Sequence, residues 1–206
     1  MLKQLKSDDS RLVLTNLKKV FWTGENYTKG DLLDYYKEIA PVILPHLKDR
    51  PQIMHRHLDG QKPDGKDFFQ RISRDQPSWL QTVSIQTSKR SYERRFVLCQ
   101  DWPSLLWMAN FGCVELIPWN SRVGTLDYPD YMVIDLDPQE VRFDQVVEVA
   151  QAVNKLLHRI GADSFCKPAA SGACTSTCRW GPGTSSVRPS SSPRSSPGWF
   201  TSGFPT

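Results

Sequence analysis

Asp135-Leu-Asp137 is the pattern in this sequence with the most direct chemical reading. In a strand, residues i and i+2 point the same way, so both carboxylates converge where the apolar run Tyr131–Ile134 ends. That run is expected to anchor the strand in a sheet. Two hard oxygen donors at a strand end suit Mg²⁺ or Mn²⁺ and metal-assisted phosphoryl transfer. Either carboxylate can equally cap the turn before Pro138, and short Asp-x-Asp patterns recur by chance. His55 and His57 share one strand face and offer two imidazoles, but no Cys or carboxylate close in sequence completes a zinc set. Phe68-Phe69, followed by Arg71, is expected to put one ring in the core and one outside. The outer ring could stack on a base or serve packing alone. Asn16, Lys18, Lys19 and Lys29 form a basic group that suits a phosphate, or a solvated face.

These residues need elements to hold them. Residues 11–22 read as a short strand and a turn. Thr28-Lys-Gly-Asp31 reads as a helix start, with Thr28 as N-cap and Asp31 at the third helical position. Leu32, Tyr36, Ile39, Ile43 and Leu47 recur at three and four residues, the pattern of an amphipathic helix that Pro41 and Pro45 are expected to kink or shorten. Strands follow at 52–57, 67–72, 82–87 and 92–99, then a helix at 104–110 and strands at 114–119 and 131–137. The helix 143–160 carries Phe143, Val146, Val149, Val153, Leu156, Leu157 and Ile160 on one side, and Gly161 ends it. Strands interspersed with helices predict an α/β or α+β domain.

Composition sets the limits. The 206 residues are 39% hydrophobic and 23% charged, enough for one sizeable core. No long apolar run suits a membrane span, and the first residues form no apolar signal region, which makes a cytoplasmic protein the expectation. Five scattered cysteines make no disulfide framework. The net charge of +4 points to no polyanionic partner, because all of it resides in Lys167, Arg179, Arg188 and Arg194, and residues 1–166 are formally neutral. Beyond 166 the chain holds no Asp, Glu, Leu or Ile and is dominated by Ser, Pro, Gly and Thr, a composition that cannot bury enough apolar surface to order itself. Cys166, Cys174 and Cys178 raise zinc as a further possibility, against which their place in this segment argues.

Taken in order, the motifs say more. Leu14-Thr-Asn-Leu-Lys-Lys-Val-Phe-Trp22, Tyr27-Thr-Lys-Gly-Asp31, Asp34-Tyr-Tyr36, Ala40-Pro-x-x-Leu-Pro-His-Leu47 and Arg50-Pro51 come first. Phe68-Phe69, Pro77-x-Trp-Leu80, Leu105-Leu-Trp-x-Ala-Asn110, Glu115-x-x-Pro-Trp-Asn-Ser-Arg122 and Pro129-Asp-x-x-x-x-Asp-Leu-Asp-Pro138 follow. The series resembles the polymerase domain of bacterial DNA ligase D, of the archaeo-eukaryotic primase superfamily, over roughly residues 12–167. The resemblance implies mixed sheets with flanking helices and template-directed nucleotidyl transfer from nucleoside triphosphates during non-homologous end joining. It assigns Asp135 and Asp137 to the catalytic Mn²⁺ or Mg²⁺ ions, Mn²⁺ usually preferred. Asn16, Lys19 and Lys29 go to the downstream 5′-phosphate, Phe68 and Phe69 to the template base, and His55 and Arg71 to the nucleotide. The implied partners are DNA ends bearing a 5′-phosphate, Ku and a ligase domain, with work at the bacterial nucleoid and no membrane.

The chain departs from the family's pattern at Ile117, where His is frequent, and at His55, where Lys is common. The larger departure follows Lys167. The family continues there with Thr-Ser-Gly-x-x-Gly-Leu-His-x-Tyr-Val-Pro-Leu, whose Ser and His meet the incoming nucleotide's phosphates. A coding sequence TGC ACA TCT ACG TGC CGT TGG for Cys174–Trp180, read one base earlier after a C, gives Leu-His-Ile-Tyr-Val-Pro-Leu. Residues 1–167 are therefore expected to be the N-terminal portion of such a domain. Residues 168–206 are expected to be a tail translated out of frame and disordered, with the C-terminal part of the fold missing. Thr175 then occupies the His position, and no acid after Asp163 supplies a third metal carboxylate. The 206-residue chain is expected to be inactive, an inert product or a non-catalytic DNA-end binder.

Overall fold

The capping box read from Thr28 and Asp31 opens the first helix of the computed structural model. The Asp31 N–H donates to Thr28 Oγ1 at 3.3 Å, and the Thr28 N–H donates to Asp31 Oδ2 at 2.7 Å. The structure describes residues 12–61, 65–72, 76–86, 93–137, 141–168 and 174–179. The chain divides into two compact units, Met1–Pro129 and Asp130–Thr206.

In the first unit, strand β1 (Val20–Trp22) pairs antiparallel with β2 (Tyr27–Thr28), and helix α1 spans Lys29–Leu47. Residues 11–22, read as a short strand and then a turn, instead hold a turn at 17–18 and the strand in their last three residues. Helix α1 passes through Pro41 and Pro45 without ending. Each proline removes one backbone donor, and burial of Leu32, Leu33, Tyr36, Ala40 and Leu47 against the core offsets that loss. Strand β3 (Pro51–His57) pairs with β4 (Asp67–Gln70) along its C-terminal half and with β6 (Glu93–Leu98) at its first two residues. Strand β5 (Thr82–Gln86) continues the sheet beyond β6, and β7 (Cys113–Pro118) pairs with β3; all these pairings are antiparallel. Helix α2 (Trp102–Asn110), capped by Asp101 and Ser104, packs on α1. Phe21, Leu33, Met54, Val97, Leu105, Leu106 and Met108 make the core, each at most 2% exposed and each contributing about 1.5–3 kcal/mol by burial.

Two glycines set the frame of β3. Gly60 takes φ +78°, and a Cβ there would lie 2.4 Å from the Phe21 Cα. That close approach lets the Gln61 N–H donate to the Phe21 carbonyl at 2.6 Å, tying the turn after β3 to β1. Gly112, at φ +86°, follows α2, and its carbonyl accepts the His57 N–H at 2.9 Å.

In the second unit, β8 (Tyr131–Leu136), α3 (Phe143–Arg159), β9 (Asp163–Pro168) and β10 (Cys174–Arg179) form a three-stranded antiparallel sheet with one helix. The strand order is β8-β10-β9. Strand β8 therefore lies at an edge, and Met132 and Val133 are 36% and 44% exposed, so the apolar run is less enclosed than its composition suggests. Of the predicted α3 face, Val146 and Leu157 are buried, while Phe143, Val149, Leu156 and Ile160 remain half exposed. Residues 174–179, expected within the disordered tail, pair with β8 and β9 on both sides. Backbone ladders form whatever the side chains are, which is why composition gave no sign of this strand. Residues 180–206 lie outside the described residues.

Candidate functional site

The basic group of the first unit is assembled by backbone hydrogen bonds. Asn16 adopts φ 55°, a left-handed value that Asn tolerates. The Lys19 N–H donates to the Asn16 carbonyl at 2.9 Å and closes the turn. The start of α1 then docks on that turn: the Lys29 N–H donates to the Lys19 carbonyl at 2.7 Å and the Gly30 N–H to the Leu17 carbonyl at 2.9 Å. Asn16, Lys19 and Lys29 are thereby brought together, as the sequence predicts, at the start of α1. Lys18 is exposed.

The two lysines of that group differ in setting. Lys19 Nζ donates to the Leu58 carbonyl at 2.6 Å and to Asp59 Oδ1 at 2.8 Å, a partly exposed ion pair. Lys29 is 5% exposed, and its Nζ donates to the Thr15 carbonyl at 2.8 Å. Burial, and then the nearby charges of Lys19 and Arg56, lower its pKa from 10.5 to about 8. An ammonium held among like charges without a carboxylate on it is a group that an anion would relieve.

Both phenylalanines of β4 lie outside the core, at 38% and 46% exposure, which corrects the expectation of one buried ring. Strand β4 is at the sheet's end, and Asp67, Phe68 and Phe69 are all exposed along it. Phe69, in register with His55, stacks on that imidazole with centroids 4.4 Å apart and planes 19° apart. Phe68, in register with Arg56, lies 5.2 Å from its guanidinium carbon. Sequence reasoning missed Arg56. Its Nε donates to the Phe111 carbonyl at 2.7 Å, its Nη1 to Gln70 Oε1 at 2.6 Å, and its guanidinium covers the Phe111 ring at 3.5 Å. Its alternation with His55 on β3, opposite the aromatic pair, was the available signal. Arg71 is exposed just beyond β4, with its carbonyl accepting the Val97 N–H at 3.0 Å.

His55 is the centre of a polar cluster on one face of the sheet. Its Nδ1 is 2.9 Å from Glu115 Oε2 and its Nε2 is 2.7 Å from Asp67 Oδ2. The His57 ring lies 4.4 Å away, centroid to centroid. Burial alone would lower the His55 pKa, but the hydrogen bonds and charges of Glu115 and Asp67 outweigh it, and the pKa is raised. His57 moves the other way, lowered by burial and then by the His55 charge. Hydrogen bonding to His55 lowers the Asp67 pKa. Here the sequence reading is corrected: carboxylates do lie beside the two histidines, supplied by β4 and β7 rather than by β3 itself. Ile117 sits opposite Ile53 in the β3–β7 ladder, an apolar pairing two residues beyond Glu115.

In the second unit, Asp135 is exposed within β8, and Asp137, also exposed, directly follows its last residue, Leu136. Thr175 of β10 is in register with Asp135. Two solvent-accessible carboxylates at a strand end fit a hard divalent cation.

Comparison with known proteins adds independent findings. The family model for the primase-polymerase domain of LigD matches residues 28–173. The multifunctional non-homologous end joining DNA repair protein LigD of Mycobacterium tuberculosis is 32% identical over 177 residues, covering 81% of this chain and 22% of that protein. The bifunctional non-homologous end joining protein LigD of Bacillus subtilis is 28% identical over 170 residues, covering 81% of this chain and 26% of that one. Among solved structures, the polymerase domain from Mycobacterium tuberculosis ligase D in complex with DNA matches with a TM-score of 0.73 at 29% identity, over 84% of this chain and 62% of that one. The chain thus spans about a quarter of the length of the curated relatives it matches.

Proposed function

The chain belongs to the LigD primase-polymerase domain family, and from that premise we propose that it engages DNA ends through a 5′-phosphate and represents a repair polymerase that extends the 3′-hydroxyl there. The observation that supports end recognition is the bracket of Asn16, Lys19 and Lys29, with a buried ammonium held among positive neighbours. Such a local site positions DNA on a domain whose bulk charge is neutral. Phe68 and Phe69, both exposed, offer stacking surfaces for the template base, and the family resemblance assigns His55 and Arg71 to the nucleotide.

For nucleotidyl transfer, Asp135 and Asp137 are the groups that would hold divalent ions, Mn²⁺ in preference to Mg²⁺. Ions held there would supply electrostatic stabilisation of the charge that develops on the transferred phosphate. The residues themselves bind and orient: the lysines fix the downstream phosphate, and the aromatic pair fixes the template. The substrate is a nucleoside triphosphate. Ku and a ligase domain are the partners, at double-strand breaks in the bacterial nucleoid. No helix among the described residues is long and apolar enough to cross a membrane.

A second reading concerns the 206-residue polypeptide itself and rests on the family resemblance. Thr175 stands in register with Asp135, at the family's nucleotide-binding His position, and no acid follows Asp163. A Thr at that position would hold the nucleotide's phosphates less well than His, and we infer from it a polypeptide that binds ends without extending them. We attribute the change to a shifted reading frame starting near Lys167. Sequencing the gene across codons 165–172 tests that origin; an uninterrupted frame with no base run prone to slippage would contradict it. Fluorescence titration of gapped DNA with and without the 5′-phosphate tests the binding role. Tighter binding of the phosphorylated gap is expected, and equal affinity would refute it.

A further inference from the structure

We propose that His55, His57 and Asp67 form a binding site for a first-row divalent transition metal such as Zn²⁺, with Glu115 orienting His55 from behind. Its residues all belong to the first unit, whereas Asp135 and Asp137 belong to the second. One ligand atom from each of the three residues lies within 4.8 Å of the others. The strand ladder explains the convergence: His55 and His57 alternate on β3, and Asp67 is in register with His57.

Two observations favour a metal at this cluster. First, His57 is 9% exposed and its Nε2 is buried without a hydrogen-bond partner. A buried polar atom left unsatisfied calls for an explanation, and a metal ligand or an ion nearby supplies one. Second, both nitrogens of His55 meet carboxylates, which suits a metal on one side and an orienting acceptor on the other. With an ion in place of the proton between Nε2 and Asp67, Nδ1–H would still donate to Glu115, now at 2.9 Å. This is the carboxylate–histidine–metal arrangement that fixes the tautomer and raises ligand basicity. The His55 Nε2 to Asp67 Oδ2 separation of 2.7 Å is a hydrogen-bond distance, shorter than the spacing of two ligands on one ion. Metal–ligand bonds of about 2.0–2.2 Å in tetrahedral geometry separate neighbouring donors by roughly 3.3 Å. A modest opening there, with a closing movement of His57, completes three protein ligands and leaves one position for water or an anion. Two imidazoles and a carboxylate match Zn²⁺ or Co²⁺ better than Mg²⁺ or Ca²⁺.

The test is a Co²⁺ titration of the full chain carrying Asp135→Asn and Asp137→Asn, followed by visible absorption. One equivalent of tetrahedral cobalt is expected, with a d–d band, no thiolate charge-transfer band, and displacement by Zn²⁺. His57→Gln and Asp67→Asn should each weaken binding at least tenfold, and Glu115→Gln about 10- to 100-fold. Zn²⁺ should raise the Tm of the parent and not that of His57→Gln, a readout that also exposes any variant that fails to fold. No stoichiometric band in the parent, a thiolate band, or unchanged affinity in both His57→Gln and Asp67→Asn would overturn the proposal. DNA-end binding through Lys29 is measured separately, so failure here leaves that reading intact.

Discussion

Lys29 makes end recognition dependent on pH, and the direction follows from its surroundings. In the free protein its pKa is lowered from 10.5 to about 8 by burial, with Lys19 and Arg56 adding repulsion. The drop corresponds to a ceiling of about 3 kcal/mol held against the charged form. Because the ammonium lies beside a partly exposed turn, screening reduces the recoverable part to about 1–2 kcal/mol. A phosphate seated on Lys29 returns that free energy as affinity, roughly 5- to 30-fold. The charged form binds, so the advantage of a 5′-phosphate is full near pH 7 and falls as pH rises through 8. Fluorescence anisotropy of gapped DNA, with and without the 5′-phosphate, measured from pH 7 to 9.5 at fixed ionic strength, reads this directly. Lys29→Met should lower the advantage and flatten its pH dependence. Constant salt matters because every phosphate contact is salt-sensitive. An advantage that stays level between pH 7 and 9.5, or that survives intact in Lys29→Met, would refute the reasoning. The stability consequence has the opposite slope. A lowered lysine costs stability below pH 8, and the cost is relieved between 8 and 10.5, so wild-type stability relative to Lys29→Met should rise across that window.

Phe68→Ala and Phe69→Ala should each weaken binding to gapped DNA by about 1–3 kcal/mol for each base that loses its stacking partner, while urea unfolding changes little because both rings are exposed. Equal loss of fold stability and binding would assign the rings to packing instead. Gly60→Ala should cost at least about 2 kcal/mol in urea unfolding, because φ +78° disfavours a side chain and the Cβ would meet the Phe21 backbone at 2.4 Å. Gly124→Ala, also at positive φ but with nothing within 4 Å of the added Cβ, should cost less.

Local features of the fold were legible from residues a few positions apart. Thr28 and Asp31 are three residues apart, and their reciprocal hydrogen bonds form as read. The periodicity of α1 outweighed its two prolines because most of one face is buried. The site was legible only in pieces. Asn16, Lys19 and Lys29 could be grouped because the turn and helix start are close in sequence. The acids on His55 come from 12 and 60 residues away, and the Phe111 carbonyl on Arg56 from 55, so only strand register reveals them. Edge position had the same effect: alternation separates Phe68 from Phe69, yet a strand at the sheet's end leaves both rings open. Strand β10 was hidden because its composition matches a disordered tail while its backbone completes a ladder.

Primer extension on a gapped, 5′-phosphorylated DNA with Mn²⁺ and nucleoside triphosphates tests the central claim most directly. It should compare the 206-residue chain, a version carrying the frame-restored continuation after Lys167, and that version with Asp135→Asn and Asp137→Asn. The account predicts template-directed incorporation by the frame-restored protein alone. Incorporation by the 206-residue chain as it stands, or activity that survives replacement of both aspartates, would contradict it.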